Sequence, residues 1–96
     1  MLKKLIHFTS ENFPDTFKDT KTLRMLLEKP EFSHIELDHY DIENSEAQLL
    51  IMKYGVKGVP CTVFLDEKDE FLLKTTGTMG EVNYVTYLNF NTYGTK

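Results

Sequence analysis

Cys61 is the only thiol in the chain, and His7, His34 and His39 are its only imidazoles. One cysteine excludes an intramolecular disulfide and any all-cysteine metal cage. Cys61 directly follows Pro60 and opens a β-branched, apolar run, a setting in which a free cysteine behaves as a small buried hydrophobe. As a nucleophile it would need exposure and a lowered pKa, with Lys57 the neighbouring cation. The histidines are scattered. Asp38, His39 and Asp41 lie close together, but without the spacing of a known metal cage. Neither a metal nor a cofactor is expected. Thr16 has a hydroxyl with no adjacent base to activate it, which suits it to satisfying a backbone group in a helix's first turn.

The elements that position these groups come from a chain of 96 residues, 41% apolar and 27% charged, which is ordinary globular composition. A chain of this size buries roughly 65% of its extended surface, enough for one modest core, so residues 1–96 read as a single domain. Eleven Lys and Arg stand against 15 Asp and Glu, a formal charge of −4. That balance lacks the basic footprint needed to neutralise a phosphate backbone, so nucleic acid is not an expected partner. The apolar stretch near the N-terminus, Leu5-Ile6-His7-Phe8, is too short for a secretory signal, and no run approaches the ~20 apolar residues that span a bilayer. No membrane is expected, and the cytoplasm is the expected location.

Leu2 to Phe8 reads as an interior strand ended by turn-formers. Ser10 or Asn12 can cap a helix in which Pro14 suits the first turn, and Phe17, Leu23, Leu26 and Leu27 recur at helical spacing until Lys29-Pro30. The expected helix runs from about Pro14 to Glu28. Phe32 to Asp38 alternates as a strand. Asn44 or Ser45 opens a second helix with Ala47, Leu50, Ile51 and Tyr54 on one stripe and Gly55 at its end. Cys61 to Asp66 has the pattern of a strand covered on both faces. A charged turn at Glu67–Glu70 leads into a partner strand from Phe71 to Thr76. Glu81 to Phe90 is a closing helix with Val82, Val85, Leu88 and Asn89 on its inner side. Tyr84, Tyr87, Phe90 and Tyr93 form either helix packing or an aromatic surface patch. The order β-α-β-α-β-β-α argues for parallel pairing where helices intervene and one antiparallel hairpin, giving a four-stranded mixed sheet.

The segment Tyr54-Gly-Val-Lys-Gly-Val-Pro-Cys-Thr-Val-Phe-Leu-Asp66 closely resembles the stretch of thioredoxins that runs from a helix into a cis-proline and then the central strand. Phe71 onward, with Gly77 before the last helix, is similar to that family too. The resemblance covers essentially the whole chain. It implies the α/β thioredoxin fold, with helices on both faces of the sheet. Members usually carry Cys-x-x-Cys where the first strand meets the first helix. Here that stretch is Phe13-Pro14-Asp15-Thr16, with Phe13 and Thr16 at the positions of the two thiols. Dithiol exchange needs an attacking thiolate and a resolving thiol, so catalysed disulfide turnover is not expected. His7 falls where relatives keep a buried acid, and without thiols to serve it is expected to be a hydrogen-bonded structural residue.

Three functions remain open, the weakest being a small structural or regulatory subunit that uses any surface. In the first, the fold serves binding: the resemblance implies that Val59, before the cis-proline, offers its backbone to a protein or extended peptide by strand addition, which needs no sulfur. Phe13, Pro14, Val59, Pro60 and the Gly77 loop would form the shallow apolar groove. In the second, Cys61 acts as a single redox thiol.

Overall fold

The computed structural model describes residues 1–93, with side chains to Phe90. β1 (Leu2–Thr9) leads through a 3-10 turn (Pro14–Thr16) into α1 (Phe17–Leu27). β2 (Glu36–Asp41), α2 (Gln48–Tyr54), β3 (Cys61–Asp66), β4 (Phe71–Thr76) and α3 (Gly80–Tyr93) follow. The strands lie in the order β2-β1-β3-β4 in one sheet. Among the described residues no helix is long and apolar enough to cross a membrane.

β1 and β2 are parallel, whereas β3 is antiparallel both to β1 and to β4. The expectation of parallel pairing across every helix therefore fails at β3. α2, with 7 residues, is only about 10 Å long, half the length of a six-residue strand. It turns the chain at one end of the sheet instead of carrying it back along the sheet. The second strand also begins later than expected. Phe32 belongs to a 3-10 turn (Pro30–Phe32) and is buried in the core, and the ladder starts at Glu36.

Side chains alternate across the sheet, and the two faces receive different cover. Leu5 and Phe64 face α1 and α3, joining Leu23, Leu26, Tyr84 and Leu88. Ile6, Phe8, Cys61, Val63 and Leu65 face α2, meeting Ala47, Leu50, Ile51 and Tyr54. Helices thus cover both faces. A register shift between Leu2 and Lys4 inserts one residue, so Leu2 shares the α1/α3 face with Leu5 although three positions separate them. α2 ends as its sequence requires. Gly55 adopts φ +64, and the Lys74 ammonium donates to the carbonyls of Tyr54 and Gly55 at 3.0 and 2.8 Å.

The buried side of α3 differs from the expected one. Tyr84 and Leu88 face the core, with Val85 against its edge, while Val82 is 79% exposed. A tyrosine takes the inner stripe because its hydroxyl has partners there. Tyr84 donates to Asp19 Oδ2 at 2.7 Å, and Thr62 Oγ1 lies 3.4 Å from the same hydroxyl. Asp19, only 2% exposed, also accepts the Met79 backbone N–H at 3.1 Å. One α1 carboxylate thus fixes both α3 and the loop before it. Tyr87 packs its ring against Phe64 and Phe90 is exposed; the side chain of Tyr93 lies outside the described residues. Asp19→Ala leaves the Tyr84 hydroxyl and the Met79 amide without their acceptor, and each buried donor so stranded costs about 1–3 kcal/mol. Urea unfolding should therefore show a loss of about 2–5 kcal/mol, with Asp19→Asn losing less because its amide oxygen still accepts. A loss below about 1 kcal/mol for the alanine variant would show that this carboxylate does not hold α3.

Candidate functional site

The topology gathers four connections at one end of the sheet. β1 and β2 finish there at Thr9 and Asp41, β3 starts there at Cys61, and β4 finishes there at Thr76. Between the connections lies a groove of about 800 Å³. Residues 12–16 form one wall, Ile42, Gln48 and Ile51 a second, and Val56, Lys57, Gly58, Val59 and Pro60 a third; Thr78 also lines it. The Val59–Pro60 peptide bond is cis.

Hydrogen bonds fix the first wall. Phe13 N donates to Ser10 O at 2.9 Å and Thr16 N to Phe13 O at 3.0 Å. The Thr16 hydroxyl donates to Phe13 O at 2.7 Å and accepts from Ser10 N at 3.2 Å. This is the backbone role expected of Thr16. Neither Ser10 nor Asn12 caps the helix, contrary to expectation. Ser10 Oγ is spent elsewhere, donating to Glu43 Oε1 at 2.7 Å and accepting from Asn12 N at 3.1 Å, while Asn12 Nδ2 donates to Glu43 Oε1 at 3.1 Å. Asp41 completes the tie between the walls by accepting the N–H groups of Glu11 and Glu43 at 2.9 and 2.8 Å. With its backbone held this way, Phe13 still leaves 59% of its surface in solvent. Gly77 does not line the groove. Its N–H donates to Pro60 O at 2.8 Å, and it adopts φ +98, so it anchors the proline turn from behind.

No protein-family model and no curated protein matches the chain. Solved structures do. An uncharacterized thioredoxin-like protein from Clostridium perfringens is 28% identical with a TM-score of 0.76, the match covering 90% of this chain and 68% of that one. Thioredoxin O2 from Arabidopsis thaliana gives a TM-score of 0.78 at 16% identity, covering 92% of this chain and 73% of its own. A thioredoxin from Thermus thermophilus gives 0.67 at 22% identity, covering 90% and 70%. The chain has the thioredoxin-like fold.

In this thioredoxin-like chain the sulfur lies behind the groove rather than in it. Cys61 is 1% exposed on the α2 face of β3 and is not among the groove's lining residues. Burial pushes its thiol up from the usual range, against the weaker opposing pull of a hydrogen bond from the Thr76 hydroxyl and of the Lys74 charge. Lys74, not the expected Lys57, is thus the cation that acts on it. Among the described residues no group of three or more His, Cys, Asp or Glu side chains could hold a metal ion. Thiol reagent at neutral pH is expected to leave native protein unlabelled and to label Cys61 fully in denaturant, the native rate being suppressed about a thousandfold or more if reaction requires global opening. Fast stoichiometric labelling of native protein would show an accessible thiolate.

On the opposite face His7 is fully buried, with Nδ1 2.8 Å from Thr62 Oγ1 and its ring beside His39 at 5.6 Å. His39 Nε2 in turn lies 2.7 Å from Thr9 Oγ1. Burial first, then the His39 and Arg24 charges, lowers the His7 pKa to about 3, and burial likewise lowers that of His39. The expected structural histidine is therefore held neutral, and among the described residues its Nε2 has no hydrogen-bond partner. The unfolded chain takes up a proton near pH 6.5 that the folded His7 refuses until about pH 3. Stability is therefore full above 6.5 and falls as pH drops through that window, by about 1.4 kcal/mol per pH unit from this one group. His7→Leu should reduce the slope between about pH 6.5 and 5, where carboxylates contribute little, the remainder coming from His39, whose pKa burial also lowers. An unchanged slope in urea unfolding across that range would assign it to other groups.

The sequence did not point to Asp19 and Thr62 or to their hydrogen bonds with Tyr84, nor to a groove-lining role for Ile42, Ile51 and Thr78. A signal for the first existed: Asp19, Leu23 and Leu26 fall at i, i+4 and i+7, so a charge stands on the apolar stripe of α1.

Proposed function

We propose that this thioredoxin-like chain is a peptide-binding module of the cytoplasm, in which Phe13 and Thr16 stand where relatives carry thiols and no disulfide chemistry is performed. An extended protein segment adds as a strand beside Val59 and lays its side chains against Phe13, Pro14 and Pro60, with Gly77 supporting the turn from behind. One observation carries this reading. Among the described residues the Val59 backbone makes no hydrogen bond, although it forms a wall of an apolar groove. Backbone pairing of that kind supplies affinity without any particular side chain, and the apolar walls supply selection. The acidic balance of −4 favours a protein partner over nucleic acid. A lone reduced cysteine suits a reducing compartment.

The test is a titration of isotope-labelled protein with an extended, uncharged nine-residue peptide carrying a central leucine. Amide shifts should concentrate at Gly58, Val59, Ile51 and Thr78, with a dissociation constant of about 10–500 μM, the weak end expected of a small groove. Val59→Asp should weaken binding by about tenfold or more, because it places a desolvated charge against the peptide. No catalysed disulfide reduction should be seen with a reductase and reductant present. Turnover that vanishes on Cys61→Ser, or peptide shifts spread over the opposite end of the sheet, would overturn the reading.

A further inference from the structure

The walls of the groove differ in charge, and this determines which peptide fits. The Phe13 wall and the Ile42–Gln48 wall are carried by residues 11–16 and 41–48, which contain Glu11, Asp15, Asp41, Glu43 and Glu46 and no Lys or Arg; of these acids Asp15 lines the groove, and the other four stand outside the lining on the same segments. The third wall, Val56 to Pro60, contributes Lys57 alone. The carboxylates are not neutralised by partners across the groove. Asp41 accepts backbone N–H groups, Glu43 accepts from Ser10 and Asn12, and among the described residues only Asp15 of these acids forms an ion pair, with Lys18 at 3.6 Å on the exposed surface. Amide and hydroxyl donors orient these acids without removing their charge. Glu11 and Glu46 are exposed. The apolar part of the lining is Ile42, Ile51, Val56, Val59 and Pro60 with Phe13 and Pro14.

We infer that the preferred ligand is an extended segment of a basic protein, in which one bulky apolar residue that enters the groove is flanked by lysine or arginine. This rests on the peptide-binding reading above and adds the charge of the partner to it. The apolar residue covers Val59 and Ile51, and the flanking cations lie toward the acidic segments at residues 11–15 and 41–46. A second copy of this chain is a poor occupant, because the acidic mouth would meet a protein that is itself negative.

Three fluorescein-labelled nine-residue peptides, identical except that the positions flanking a central leucine are Lys, Gln or Glu, separate the two claims. At about 50 mM salt the Lys peptide should bind about tenfold or more tighter than the Glu peptide, with Gln between. The gap should close to within about threefold at about 500 mM salt, where screening shortens the Debye length. The double variant Glu11→Lys and Glu46→Lys should cut the Lys-over-Glu preference by about threefold or more at an unchanged melting temperature, since neither side chain holds the fold together. Equal binding of all three peptides at the groove would overturn the charge preference and leave the groove reading standing. Binding of none of them, or a salt-sensitive Lys-peptide signal whose amide shifts lie away from Val59 and Ile51, would overturn both. A concentration-dependent dimer that excludes all three peptides would show that the groove is occupied by a second copy.

Discussion

A carboxylate excluded from water must be surrounded by donors, and Asp19 turns that requirement into architecture. Its Oδ2 takes the Tyr84 hydroxyl from α3 and the Met79 amide from the preceding loop, so the position of α3 is set from α1 rather than by apolar packing alone. Apolar burial is non-directional and tolerates rotation of a helix about its axis. Two hydrogen bonds to one buried oxygen do not. The same anchor holds Met79 next to Thr78, which lines the groove. The candidate site therefore depends on a charge that lies outside it.

The sheet divides the remaining tasks between its faces. Toward α1 and α3, the central strands present His7, Thr9 and Thr62 among the leucines, and these groups hydrogen-bond to one another, to His39 and to Tyr84. Toward α2 they present Ile6, Phe8, Cys61, Val63 and Leu65, a dry surface. Strand alternation alone assigns Cys61 to the dry side, because Thr62 is its neighbour on the wet one. Reactivity at Cys61 would require either a charged thiolate in that apolar layer or a breach of the α2 packing. Its raised pKa expresses the first cost.

Much of this was legible in the sequence, in proportion to how local each determinant is. The α2 stripe and its Gly55 end depend on residues within one or two turns, and both were read correctly; the start expected at Asn44 or Ser45 opens a 3-10 turn, Ser45–Ala47, capped by Asn44, and α2 itself begins at Gln48. The doubly covered β3 followed from its unbroken apolar run. What failed needed partners remote in the chain. Val82 looks like a core residue until Asp19, far away in α1, makes Tyr84 the better inward side chain. The direction of β3 depends on α2 turning at one end of the sheet instead of crossing it, a matter of length that periodicity does not report. The start of β2 was misplaced because Phe32 supplies a core side chain from a 3-10 turn, so its apolarity signalled burial and not extension. At the site, the groove residues on the proline side were legible through the family resemblance, while Ile42, Ile51 and the acidic walls become neighbours only once four connections meet.

A peptide groove of the kind proposed recognises its ligand by shape and hydrogen bonding, and such recognition is weakened by every degree of freedom that binding has to freeze. The segment from Ser10 to Thr16 leaves little to freeze. Phe13 O accepts both the amide and the hydroxyl of Thr16, Ser10 O accepts the Phe13 amide, and the Ser10 and Asn12 side chains are tied to Glu43. Proline fixes φ at the next position. The exposed ring of Phe13 is thus carried on a backbone that is already ordered, and an aromatic side chain adds only two torsions of its own. Thr16 serves this arrangement with hydrogen bonds alone, where a thiol would be a poorer donor and a poorer acceptor. The first turn of α1 is chemically coherent as a rigid platform for an apolar contact, and that coherence does not depend on sulfur at either position.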